Sequence, residues 1–219
     1  MDHSEILAHT NEHVRALLQG EGSGHDWWHV YRVWRNAAHI AAGEREPVDL
    51  FVVELAALLH DIADWKFHGG DVTAGPRAAR AWLDTLAVDG AVIAHVCDII
   101  ATMSFKGAGV ASAMRTREGM VVQDADRLDA IGAIGIARTF AYGGHMNRDI
   151  WDSDRAPHAH ASAKDYLTGT GSTINHFYEK LLLLKDRMNT ETGRRMASER
   201  HAFMEAYLTH FYAEWEGMA

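Results

Sequence analysis

The chain has 219 residues, 47% of them hydrophobic, enough to bury a sizeable core in one large domain. Its formal charge of -9 opposes nonspecific binding to nucleic acid, but not the capture of a small anion by a local group of cations. The single cysteine, Cys97, excludes an internal disulfide and fits a reducing compartment.

Only Pro47, Pro76 and Pro157 interrupt the chain, which favours long helices. Ile6, His9 or Thr10, His13 or Val14, Leu17 and Leu18 recur near helical spacing over residues 1–20, and Gly20 suits the end of that helix. Asp26 can cap a second helix with the stripe Val30, Val33, Trp34, Ala37 and Ala41, stopped by Gly43. Trp27, Trp28 and Trp34 read as core. A third helix, with Val48, Phe51, Val52, Leu55 and Leu59 as its stripe, runs into His60-Asp61. Gly69-Gly70 breaks the chain. Further helices are predicted from about Val72 or Gly75 to Ala87 and from Ala91 to about Met103, and another can start near Ser112. Met120-Val121-Val122 has strand character but is too short for a sheet. A helix is predicted from Asp124 to Tyr142, ended by Gly143-Gly144. Residues 144–172 lack a period and read as a mobile loop. Ser172 or Thr173 then caps an amphipathic helix with Ile174, Phe177, Tyr178, Leu181 and Leu182, and a last helix carries Met204, Tyr207, Leu208, Phe211 and Trp215. The fold class is therefore all-α, one helical bundle over residues 1–219. No basic-then-apolar leader opens the sequence, and the longest apolar run, Phe51 to Leu59, is interrupted by Glu54. A cytoplasmic protein without a membrane partner is the expectation.

The chemistry gathers in three places. In Leu58-Leu59-His60-Asp61-Ile62-Ala63-Asp64-Trp65-Lys66 an apolar helix delivers an adjacent His-Asp pair. A buried charge needs a partner or a metal. His60 and Asp61 can both reach a metal beside the helix end, although a bare His-Asp hydrogen bond also fits. Asp64 follows Asp61 at i+3 and lies on the same side. In His25-Asp26-Trp27-Trp28-His29-Val30-Tyr31-Arg32-Val33, His25 and His29 are i, i+4 and share a face, with His29 bordering the apolar stripe. In Asp124-Ala125-Asp126-Arg127-Leu128-Asp129, Asp124 can be a cap and either Asp126 or Asp129 can complete a site of two histidines and an aspartate.

Together these pieces form an ordered set, His, then His-Asp, then Asp, spread over about a hundred residues. The set resembles the HD superfamily of metal-dependent phosphohydrolases. His29-Val30-Tyr31-Arg32-Val33 matches the H-x-x-R-V context of the family's first ligand, and Ala125-Asp126-Arg127-Leu128 matches the A-D-R-L context of its last. The match selects Asp126 over Asp124 and Asp129. The runs from His60 to Lys66, from Asp124 to Gly132 and from Ser172 to Leu181 are similar to a bacterial single-domain branch that resembles nucleotide pyrophosphohydrolases and nucleotidases. The similarity spans roughly residues 20 to 215.

The resemblance implies an all-α bundle with a metal-binding core over about 20–142 and C-terminal helices over 173–217. It implies His29, His60, Asp61 and Asp126 as ligands of one divalent metal. Such a nitrogen and oxygen set suits manganese, the favoured ion, or magnesium, iron, nickel, cobalt or zinc. Asp64 is the candidate to orient or deprotonate the nucleophile, and Lys66 to neutralise charge at phosphorus. His25, Lys66, Asn175, His176 and Lys180 are candidates for substrate binding, since His176 and Lys180 lie i, i+4 off the apolar stripe. Arg127 can hold either substrate or a neighbouring helix. The implied activity is hydrolysis of a nucleotide, such as a triphosphate to a monophosphate and pyrophosphate. A homodimer is compatible with it. A di-iron oxygenase on the same scaffold and a non-catalytic metal- and nucleotide-binding domain are the alternatives. The G-Y-P signature of cyclic-di-nucleotide phosphodiesterases is absent, and no motif surrounds His68 or His95 as ligands of a second metal.

Overall fold

The computed structural model describes residues 1–20, 26–63, 69–105, 109–158 and 171–218. Among them the chain is an all-α bundle with no strand. Helix α1 (His3–Leu17) begins with a reciprocal box in which Asp2 and Glu5 each accept the other's backbone N–H at 2.9 Å. It buries Ile6, Thr10 and Val14 and leaves Leu17 outside. Helix α2 (Trp27–Gly43) begins just after Asp26, whose carboxylate caps it by accepting the His29 N–H at 2.9 Å. Of the three tryptophans read as core, Trp27 is buried and Trp34 half-buried, donating to Glu54 at 3.0 Å. Trp28 is 57% exposed, because its position turns it to the outer face of α2.

Helix α3 (Leu50–Leu59) departs from the stripe read in the sequence. Eight of its residues, Phe51, Val52, Val53, Leu55, Ala56, Ala57, Leu58 and Leu59, are buried. A helix apolar all round belongs in the middle of a core. Accordingly α1, α2, α5 and α6 all pack against it. Complete burial of Leu55, Leu58 and Leu59 contributes about 2 kcal/mol each against the unfolded chain. This makes the C-terminal end of α3 a rigid platform for His60 and Asp61. Helices α4 (Ala74–Thr85) and α5 (Gly90–Thr102) form a hairpin beside α3, with Asp89 capping α5.

The helix predicted from Asp124 to Tyr142 is two helices, α6 (Arg117–Asp129) and α7 (Gly132–His145). Gly132 has φ +74, a left-handed conformation that glycine adopts without cost, and a Cβ there would also press on Arg200. The strand-like Met120-Val121-Val122 lies inside α6, and Thr116 rather than Ser112 opens that helix. The amphipathic helix expected after Ser172 is also broken. It consists of α8 (Asn175–Glu179) followed by 3₁₀ turns at Leu181–Leu183 and Lys185–Arg187. The long helix α9 (Glu191–Trp215) closes the bundle against α7 and α6. Within the segment read as a mobile loop, residues 146–158 are fastened. Asp149 and Ile150 carbonyls accept from Thr173 and Ile174 at 2.9 and 3.0 Å, and Trp151 packs edge-on against Phe211, Tyr212 and Trp215. Residues 159–170 lie outside the described residues.

Two acids, Asp124 buried and Glu44 half-buried, fix where α9 begins. Asp124, fully buried inside α6, accepts the N–H of Asn189 at 2.9 Å, and the N–H and hydroxyl of Thr190 at 2.8 Å. It is thus not a cap of its own helix but the anchor of the turn entering α9. Gly193 permits this, since a Cβ there would lie 2.6 Å from Asp124 Oδ2. Asp124→Ala, which strands these donors, should cost about 3 kcal/mol in urea unfolding. Glu44, just after α2, accepts the Thr192 N–H at 2.9 Å. Burial works against its ionisation, but the Thr192 hydrogen bonds outweigh it and hold its carboxyl below the ordinary range. A depressed folded pKa stabilises above the unfolded pKa and is lost as pH falls through the folded one. Glu44→Gln should therefore be less stable than the parent at pH 7, and the gap should close below about pH 4.

Candidate metal centre

Four side chains from three parts of the bundle converge. His29 comes from the first turn of α2, His60 and Asp61 from the turn leaving α3, and Asp126 from the last turns of α6. His29 Nε2 lies 3.1 Å from His60 Nε2, 3.2 Å from Asp61 Oδ2 and 3.5 Å from Asp126 Oδ1. His60 Nε2 lies 3.6 Å from Asp61 Oδ2 and 3.9 Å from Asp126 Oδ1. With metal–ligand bonds of about 2.1 Å, neighbouring ligands of one ion stand about 3 Å apart and opposite ones about 4 Å. The observed separations fall in that interval. Among the described residues His29, His60 and Asp126 are the group of ligand-type side chains whose donor atoms all lie within 4.8 Å of one another, and Asp61 borders both imidazoles.

The hydrogen bonds behind the rings decide what the rings present. His60 Nδ1 lies 2.8 Å from the Ala57 carbonyl, which can only accept. His29 Nδ1 lies 2.7 Å from Asp129 Oδ2. Asp129, 1% exposed, also takes Arg32 Nε at 2.6 Å, Arg32 Nη2 at 3.0 Å and Arg138 Nη1 at 2.9 Å. Burial disfavours its charge, but His29, Arg32 and Arg138 hold its carboxyl well below the usual range. As a carboxylate it too can only accept. Both Nδ1 atoms therefore carry hydrogen, so with both rings neutral each would aim an Nε2 lone pair at the other. Two lone pairs 3.1 Å apart cannot hydrogen-bond to each other. They need a cation between them, a proton or a metal. The electrostatics agree. Burial and Arg138 lower the His29 pKa, yet the carboxylates of Asp129 and Asp61 prevail and raise it. Burial raises Asp126, but His60 and His29 outweigh it and keep the carboxyl low. The donor set fits a divalent ion held by imidazole nitrogen and carboxylate oxygen.

Other candidates fare differently. Asn175 is buried, and its side-chain amide donates to the Arg155 carbonyl at 2.9 Å, a bond that fastens the 150s segment and accounts for this residue without a substrate. His176 and Lys180 are half-buried on α8 and at its end. Arg127 is buried and donates to the Arg187 carbonyl, which ties it to a neighbouring turn of the chain. His25, Asp64 and Lys66 lie outside the described residues, as does His68. His95 faces Glu118 at 3.8 Å. The clamp of Arg32, Asp129 and Arg138 on His29 was missed in the sequence. Arg32 sits at i+3 from His29 and Asp129 at i+3 from Asp126, so that signal was present, whereas nothing marked Arg138.

The model of the HD domain matches residues 27–131. The Bacillus subtilis protein YpgQ is 40% identical over 206 residues, covering 94% of this chain and 91% of its own. The crystal structure of YpgQ in complex with ADP superposes with a TM-score of 0.73 and 32% identity over 98% of this chain and 97% of that one. A Bacillus thuringiensis HD-superfamily hydrolase is 40% identical over 98% and 99% of the two chains, with a TM-score of 0.74. A Lactobacillus plantarum structure is 36% identical over 99% of each chain, with a TM-score of 0.86. Among the described residues, no helix is long and apolar enough to cross a membrane.

A carboxylate behind a metal-binding histidine typically accounts for ten- to a hundredfold in affinity. Asp129→Asn should weaken divalent-metal binding by about that factor in equilibrium dialysis, while His60→Ala should abolish stoichiometric binding.

Proposed function

The chain belongs to the HD-domain superfamily, and from that premise we propose that it is a metal-dependent phosphohydrolase acting on a nucleotide. The observation that carries this reading is the pair of opposed Nε2 lone pairs, flanked by two carboxylates, which calls for a cation. The ADP bound in the YpgQ crystal structure supports a nucleotide as the ligand class. In this reading His29, His60, Asp61 and Asp126 hold one divalent ion, with manganese favoured among those such a donor set accepts. When bound, the ion supplies Lewis-acid activation of water and neutralises charge at phosphorus.

The chain's own side chains do the rest. Asp64, three residues after Asp61, takes the proton from the attacking water. The water oxygen bonds to phosphorus as the bond to the leaving oxygen breaks. Lys66, His176 and Lys180 offset the negative charge on the phosphoryl oxygens and the leaving group. Attack at the α-phosphorus of a triphosphate gives a monophosphate and pyrophosphate; attack on a monophosphate gives a nucleoside and phosphate. The -9 net charge makes a small nucleotide a better partner than a nucleic acid, and the reading places the reaction in the cytoplasm. A di-iron oxygenase would need a second cluster of ligands, and among the described residues only one cluster of histidine and acid side chains is found.

Phosphate detection with and without added pyrophosphatase, over a panel of nucleotides and metals, tests the reading and separates the two reactions. The expected outcome is metal-dependent product that chelation abolishes. Asp64→Ala should keep the bound ion and lose at least about a hundredfold in kcat. Failure to release product from any nucleotide with any of these metals would leave a non-catalytic binding domain.

A further inference from the structure

We propose that a cleft remote from the metal centre binds a free α-amino acid with an apolar side chain, between Arg45, Arg194 and Glu191. The cleft has a volume of about 300 Å³ and lies where the C-terminal end of α2, the start of α6 and the first turn of α9 meet. Small-molecule sites run from about 300 to 1,000 Å³, so there is room for one small metabolite. Glu44, which lines the cleft, stands 15 residues beyond His29 along α2. At about 1.5 Å per residue, some 22 Å of helix separates this cleft from the metal centre.

The charged groups of the cleft divide into those the fold has spent and those it has not. Glu44 accepts the Thr192 N–H at 2.9 Å, and Arg117 and Glu46 pair with each other. Three other groups keep hydrogen-bonding capacity. Arg194 donates through Nη1 to the Met188 and Asn189 carbonyls at 3.1 and 2.9 Å. Those bonds pin its guanidinium, and among the described residues its Nε and Nη2 meet no acceptor. Arg45 and Glu191 face each other at 3.8 Å, too far for a hydrogen bond, with side chains 87% and 72% exposed. So exposed an ion pair is worth little, and a ligand can part it at small cost. Val48 and Met120, both half-buried, and Val121, buried, add an apolar wall.

Two guanidiniums and one carboxylate with capacity to spare match a zwitterion. The ligand carboxylate takes the N–H groups of Arg194 and Arg45, its ammonium meets Glu191, and its side chain lies on Val48, Met120 and Val121. A nucleotide suits the cleft less well. Glu44, Glu46 and Glu191 oppose a polyanion, and among the described residues no aromatic ring lines the cleft to stack on a base.

The test is calorimetric titration of the full chain with L-leucine, L-methionine and L-phenylalanine, and with the matching desamino acids and amides. At least one of the three amino acids should saturate one site per chain at millimolar concentration or below, and its two truncated forms should bind about tenfold more weakly. Arg194→Gln and Arg45→Gln should each weaken the amino acid and its desamino acid by about tenfold and leave the amide within about twofold. Glu191→Gln should weaken the amino acid and spare the desamino acid. If Arg194→Gln fails to fold, Arg45→Gln carries the same comparison, since Arg45 makes no hydrogen bond within the described residues. Chelation of metal and His60→Ala should both leave the binding unchanged, which separates this site from the nucleotide reading. No saturable binding of any of the three, binding that every variant leaves intact, or binding lost with the metal would overturn the site.

Discussion

Two imidazoles that face each other through lone pairs are the constraint around which this molecule is built. A single histidine could be rotated or protonated at little cost. Here each ring is fixed from behind, one by a main-chain carbonyl and the other by a carboxylate between two arginines. Neither ring can turn without stranding a buried donor. The favourable occupant of the space between them is positive charge, and the adjoining Asp61 and Asp126 make a doubly charged occupant better than a proton.

The bundle is arranged to hold that geometry. Burial of eight of the ten residues of α3 sets the position of its C-terminal end, and His60 and Asp61 leave from there. The Asp26 cap fixes the first turn of α2 through the N–H of His29 itself. The break at Ile131-Gly132 redirects the chain after α6, and Arg138 of α7 donates to both the side chain and, at 3.4 Å, the carbonyl of Asp129. Asp124, two residues before Asp126, ties the same helix to the start of α9. The acidic run of α6 therefore divides its work, with Asp124 anchoring the fold, Asp126 facing the cluster and Asp129 orienting a histidine.

Much of this was legible in the residues. Helical spacing gave the all-α class, Asp26 was readable as a cap, and the contexts of His29 and Asp126 picked those two from fifteen histidines and a run of three aspartates. What escaped the sequence depended on tertiary surroundings. Periodicity could not see the break at Gly132, because the apolar pattern runs on through it while the backbone does not. An apolar stripe and an all-round apolar helix differ in α3 only by Val53, Ala56, Ala57 and Leu58, which a search for a stripe passes over. Asp129 and Asp126 share one face in the sequence, and only the placement of α2 and α7 sends one toward the arginines and the other toward the opening.

X-ray absorption on the protein loaded with manganese or cobalt tests the centre most directly, because it reads the ion's neighbours without any assay of turnover. The prediction is one ion per chain in a shell of nitrogen and oxygen at about 2.1 Å, with the outer-shell scattering of two imidazoles. A shell with no imidazole, or an ion whose signature survives replacement of both His29 and His60, would contradict it.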